Sequence, residues 1–160
     1  MVFLRNRMLT DVKGTRDRRL KRLVAVATQY YCEKLISKRI LRNITIEIKF
    51  KKDLEESGYC EIQDYNTHGK ARHFLIELEK GVNDKTTLMT LAHECVHVKQ
   101  YAMGELDENL SVWRGRKVNS DNVPYWDHPW EIEAYGKERG LYVRFSEAHG
   151  LGKIDMEPIL

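Results

Sequence analysis

The 160 residues carry 27 Lys and Arg against 24 Asp and Glu, with 42% hydrophobic side chains and 3 Cys. This balance excludes a disulfide scaffold, a low-complexity chain and a disordered one, and the length suffices for one continuous core, so a single domain over residues 1–160 is expected. No apolar run approaches the roughly 18 residues of a membrane span, the start turns charged at Arg5 as secretory signals do not, and Cys32, Cys60 and Cys95 lack disulfide or metal spacing, so a cytoplasmic protein with reduced thiols is expected.

In chain order, residues 1–52 hold 15 Lys and Arg but 4 Asp and Glu. This excess suits either a solvated face or a weak docking surface for nucleic acid or an acidic partner. Within it, Leu20, Leu23, Val24, Ala27, Tyr30, Tyr31 and Leu35 recur at spacings of three and four, which predicts an amphipathic helix over residues 17–39. Residues 43–50 alternate apolar and polar side chains with Ile and Thr well represented, as a half-buried strand does. A weaker strand follows over 58–63, a turn containing Gly69 over 66–70, and a strong strand over 72–79. Asn83 or Asp84 then caps a helix that runs to about Met103, where Gly104 stops it. Residues 104–125 read as polar and irregular, with Trp113-Arg114-Gly115-Arg116 as a short extended piece. A last helix opens at Asp127-His128-Pro129, since proline suits a first turn, and continues towards Phe145. The ends, 1–15 and 150–160, are expected to be frayed. The expected fold class is α+β: an amino-terminal helix, a small mixed sheet of about three strands, a helix packed beneath it and a glutamate-bearing helix opposite.

The chemistry concentrates in His93-Glu94-Cys95-Val96-His97. Two His four residues apart on a helix differ by about 40° in direction, so both imidazoles can hold one Zn²⁺, with Glu94 between them to act on a zinc-bound water. Leu88, Leu91, Cys95, Val98 and Ala102 form the opposite, apolar side, while Met89, Val96 and Gln100 share the front with the two His. A catalytic zinc needs a third protein ligand. Glu131 and Glu133 project from the last helix about 200° apart. Glu131 shares its side with Ala134, Tyr135, Glu138, Tyr142 and Phe145, whereas Glu133 shares its side with Lys137, Gly140 and Arg144. Glu131 is therefore favoured as metal ligand, Glu133 second and His128 third. With His128 as cap, Glu131 could instead reach back to the cap backbone. Beside Glu94 as general base, Tyr135 is the first choice for a neutral hydrogen-bond donor in catalysis, with Tyr125 and His149 behind it.

The pairing of His93-Glu94-Cys95-Val96-His97 with Glu131-Ile132-Glu133-Ala134-Tyr135 resembles the gluzincin branch of the zincin metallopeptidases, where a Glu followed three residues later by Ala completes the site. In several of those families an Asp after the Ala supports a ligand His; here Tyr135 stands in that place. Residues 85–142 also resemble small peptidase-like proteins of phages and bacteria, in which a Trp-x-Gly segment precedes Pro-Trp-Glu-x-Glu-Ala-Tyr, as Trp113-Arg114-Gly115 precedes Pro129–Tyr135. The resemblance implies a minimal zincin-like domain, in the host cytoplasm if phage-encoded, that hydrolyses a peptide or protein substrate with Zn²⁺ as cofactor. It also implies that the strand over 72–79 borders the cleft and pairs with extended substrate. SprT-like proteases fit less well, for want of a third His soon after the motif helix. Metzincins fit less well because Met103 stands where they place His. The alternative is a zinc-stabilised module that binds nucleic acid or protein through residues 1–52. A peptidoglycan amide hydrolase is a third reading, opposed by the lack of an export signal.

Overall fold

The computed structural model describes residues 8–151; the expected frayed ends at 1–7 and 152–160 lie outside the described residues. The elements are β1 (Leu9–Lys13), α1 (Arg18–Leu35), α2 (Lys38–Leu41), β2 (Thr45–Lys51), β3 (Gly58–Tyr65), β4 (Ala71–Glu79), α3 (Asp84–Ala102), β5 (Val112–Trp113), β6 (Arg116–Lys117) and α4 (Pro129–His149). The class is α+β as expected, and the main sheet has four strands in the order β1-β2-β4-β3. The additional strand is β1, within a stretch expected to fray. It pairs parallel with β2 from Leu9 opposite Thr45 to Lys13 opposite Lys49, so long-range pairing orders a segment whose own pattern is weak.

Two helix starts follow their cap residues. Asp17 accepts the Leu20 amide on its carboxylate at 3.1 Å, and Asn83 accepts the Thr86 amide at 2.8 Å, each satisfying a donor that the first turn leaves free. The first helix is shorter than its periodicity suggests. Ile36 turns extended at φ −130° and ψ 138°, and a separate turn, α2, begins after Ser37. That break lets Ile36 and Leu41 enter the core, at 4% and 1% exposure.

β2 pairs parallel with β4, and β3 returns antiparallel to β4 on its other side. One face of the sheet buries Ile46, Ile48, Phe74, Ile76 and Leu78 in the cluster that includes Leu88, Leu91, Cys95 and Val98 of α3 and Val24, Ala27 and Tyr31 of α1. Full burial of each large aliphatic side chain contributes about 1.5–3 kcal/mol. The other face is half-exposed and carries a cross-strand contact of Glu47 with His73 at 3.2 Å and an ion pair of Lys51 with Glu77. β4 therefore lies inside the sheet, contrary to the expectation that the strand over 72–79 is open to substrate. Both its edges are taken by β2 and β3, and the outer strand on the α3 side is β3.

The irregular region after α3 contains a hairpin, β5–β6, whose turn residues Arg114 and Gly115 both have positive φ, 48° and 82°. Such a turn matches the twist of the flanking strands. Trp113 packs its ring 6.2 Å from that of Trp130 in α4, which seats the hairpin against the start of that helix.

Candidate metal centre

α3 supplies His93 and His97 and α4 supplies Glu131, whose ligand atoms all lie within 4.8 Å of one another among buried side chains. The apolar back of α3 lies on the sheet, so its front faces α4. α4 in turn buries Glu131, Ala134 and Phe145 on the side that meets the core. One carboxylate straddles both rings: Glu131 Oε2 is 3.1 Å from His93 Nε2, and Oε1 is 3.1 Å from His97 Nε2. The two Nε2 atoms are themselves 3.2 Å apart.

The outer ring nitrogens decide what those inner atoms offer. His93 Nδ1 donates to Glu138 Oε2 at 2.8 Å, and His97 Nδ1 donates to Gln100 Oε1 at 2.8 Å. The Gln100 amide is oriented unambiguously, because its Nε2 donates to the Trp130 carbonyl at 2.9 Å and to Glu133 at 3.1 Å. With Nδ1 protonated, each neutral imidazole turns an Nε2 lone pair inward. Two lone pairs and a carboxylate in contact repel one another unless a cation lies between them. A divalent ion bound by two His and one Glu meets that requirement, and so do protons. The carboxylates of Glu131 and Glu138 overcome the effect of burial, which alone would lower it, and hold the metal-free His93 imidazolium up to about 10. His97 is raised likewise, against burial, by Glu131. Glu131, though burial opposes it, is held well below the usual carboxylate range by its bonds to His93 and His97. The donor set therefore fits a metal ion.

Glu94 is 5% exposed and accepts no hydrogen bond from a described residue. Burial pushes its carboxyl up to about 7, with the two His pulling the other way. Its neighbour across the gap is Gly58, the first residue of β3, where a Cβ would lie 3.1 Å from Glu94 Oε1 and 2.4 Å from Thr90 Cγ2. Only glycine lets the strand approach α3 this closely. A cleft runs past the centre between β3 and the segment 106–131, with one lobe of about 340 Å³ touching His93, Glu94, His97 and Glu131.

The other expected site residues lie as follows. Glu133 faces away from the centre and joins Lys99 at 3.0 Å, Arg114 at 3.0 Å and Lys137 at 3.2 Å. Lys99 also pairs with Glu105 at 2.6 Å, so the network ties α3, the hairpin and α4 together. Glu133→Ala leaves Lys99 partly buried beside a single carboxylate, and a loss of about 3 kcal/mol is expected in chemical denaturation, with metal affinity changed far less than stability. His128 precedes α4 without a side-chain cap bond, and its Nε2 donates to the Ser120 and Val123 carbonyls at 3.1 and 2.9 Å. It is therefore turned away from the centre, and Glu131 meets the two His rather than the cap backbone. Tyr135 sets its ring edge-on to His93 at 4.5 Å, and its hydroxyl is 3.4 Å from that of Tyr125. Tyr125 is the closer hydroxyl, donating to Glu131 Oε2 at 2.9 Å. His149 lies at the far end of α4 against Phe145 and Tyr30, outside the site.

Sequence reasoning missed the roles of Glu138 and Gln100. Both stand on the expected faces, Glu138 one turn beyond Tyr135 and Gln100 three residues after His97, so spacing held the signal. The carboxylate that supports His93 is Glu138, about one turn beyond Tyr135 along α4. Glu138→Ala is expected to weaken metal affinity by about 10–100-fold through loss of ring orientation, as read by competition with a chromogenic chelator.

Comparison of the chain with protein families, with curated proteins and with solved structures gave no match. Among the described residues no helix is long and apolar enough to cross a membrane.

Proposed function

We propose that the protein is a metal-dependent peptidase of zincin type that hydrolyses peptide bonds. The observation that carries the reading is a three-residue donor set, His93, His97 and Glu131, lining an open cleft that the carboxylate of Glu94 also lines. Structural zinc sites are usually closed by four protein ligands, whereas catalytic ones use three. The His₂Glu set suits Zn²⁺, which supplies Lewis-acid activation of a water and of the scissile carbonyl.

The chain's own residues supply the rest. Glu94 accepts the proton from the attacking water and delivers it to the leaving amine. Glu138 and Gln100 hold both imidazoles with Nε2 inward, and Tyr125 fixes the Glu131 carboxylate. The free edge of β3 offers main-chain groups to an extended peptide. The alternative module that binds nucleic acid draws on the exposed Arg16, Arg18 and Arg22 at the start of α1, but it leaves Glu94 without a task.

Metal content and cleavage of a peptide library, measured on the same preparation, test the reading. One ion per chain is expected, with cleavage lost on chelation and restored by Zn²⁺. A metal-loaded protein that cleaves no peptide overturns it.

A further inference from the structure

The geometry points to a basic substrate: an extended peptide with Lys or Arg side chains beside the scissile bond. The inference rests on the peptidase reading and adds a substrate class to it.

Two lobes of the cleft meet at the candidate centre, of about 340 and 530 Å³, and both touch Glu56, Gly58, His93, Glu94 and Tyr125. Glu61 and Glu108 line the first lobe and Glu55 the second, and no Lys or Arg among the described residues lines either. Glu55 and Glu56 form no ion pair with a described residue. Glu61 and Glu108 accept bonds only from neutral groups, Gln63 Nε2 at 2.8 Å and the Tyr65 hydroxyl at 2.9 Å. Some carboxylates elsewhere have a cationic partner, as Asp84 has Arg19 and Glu133 has Lys99, whereas these four have none among the described residues. The cleft lining is thus acidic throughout, in a chain whose net charge is +3.

A second observation agrees. Glu94, at 5% exposure and with no cationic Lys or Arg beside it in either lining, turns its side chain into both lobes. A divalent ion would balance Glu94 and Glu131, which leaves the four outer carboxylates uncompensated. A cleft lined by one sign of charge concentrates ligands of the other sign. The second lobe also offers an aromatic wall: Tyr135 lines it, and Trp126, 67% exposed, sits tilted at 40° with its ring 4.9 Å from that of Tyr135. Aromatic faces beside carboxylates suit the aliphatic stem and cationic head of Lys or Arg.

The experiment uses blocked decapeptide pools in which one position is fixed as Lys, norleucine or Glu, with the Zn²⁺-loaded protein. At low salt the Lys pools are expected to show kcat/KM at least tenfold above the norleucine pools, and the Glu pools to be poorest. The ratio is expected to shrink below threefold in the double variant Glu55→Gln/Glu56→Gln, whose positions are exposed and whose fold is checked by circular dichroism. Binding of the same pools to Zn²⁺-loaded Glu94→Gln, by fluorescence anisotropy, gives a readout independent of turnover. Cleavage without preference overturns the basic substrate and leaves the peptidase standing. Preferential Lys binding that the double variant loses, with no cleavage at all, supports basic recognition while the peptidase reading falls. Neither cleavage nor preferential binding overturns both.

Discussion

Glu94→Gln is expected to lower peptide cleavage by at least about 10²–10⁴-fold, the range of a single acid–base group, while the chain still binds one metal ion. The substitution keeps the shape of a buried side chain that touches no hydrogen-bond donor among the described residues, so it removes proton transfer and little else. Gln, rather than Ala or Leu, is the informative replacement, because it keeps the size and shape of the side chain beside Gly58 and removes only the ionisable oxygen. Burial already pushes the ionised form of Glu94 up to about 7, so the neutral amide relieves a desolvated charge, and an unchanged or slightly higher unfolding temperature is expected. Single-turnover cleavage and metal stoichiometry on one preparation check this. Full activity in the variant would remove Glu94 from the chemistry.

Removal of the metal is expected to make stability fall as pH rises from 6 to 9. In the metal-free protein His93 titrates at about 10, against the ordinary 6.5, because Glu131 and Glu138 outweigh its burial. A raised folded-state value contributes stability that is fully present below about 6.5 and is lost as pH climbs through about 10. Glu94, raised to about 7 by burial, acts in the same direction from about 4.5 upward, because the folded chain retains a proton that the unfolded chain releases. Glu131 is depressed, so its contribution is present above the ordinary carboxylate range and is lost only on acidification. Metal-free protein should therefore be less stable at pH 9 than at pH 6. Metal displaces the same protons, so its affinity rises with pH. Free ion at about 1,000 times the dissociation constant adds about 4 kcal/mol, and the gap between loaded and chelated samples should widen from pH 6 to pH 9 in denaturant titrations. An equal gap at both values would show that His93 and Glu94 are not coupled to the ion.

Much of this was readable from local pattern. α3 carries its apolar residues at helical spacing, its cap at Asn83 and its stop at Gly104, and all of these concern neighbours along the chain. The choice of Glu131 over Glu133 was likewise legible, since the direction of a side chain on a helix follows from spacing, and the companions of Glu131 are the apolar ones. The break at Ile36 was not, because Ile36 and Ile40, four apart, continue the helical pattern and only the burial of Ile36 and Leu41 in the core decides against it. Strand order was hidden as well. β4 is the most apolar strand, which suits the centre of a sheet, yet nothing local says that β2 and not solvent takes its second edge.

By itself the chain's order of residues determined which groups can bind a cation: two imidazoles one turn apart and a carboxylate on the buried side of a later helix, because helical periodicity acts over a few residues. Only the tertiary structure decided that the three meet within 4.8 Å, that Glu138 and Gln100 turn both Nε2 atoms inward, and that Glu56, Glu61 and Glu108 share one cleft. Those facts depend on the packing of α3 against α4 and on the close approach of β3 at Gly58, and contacts between residues distant along the chain leave no periodic trace in either segment.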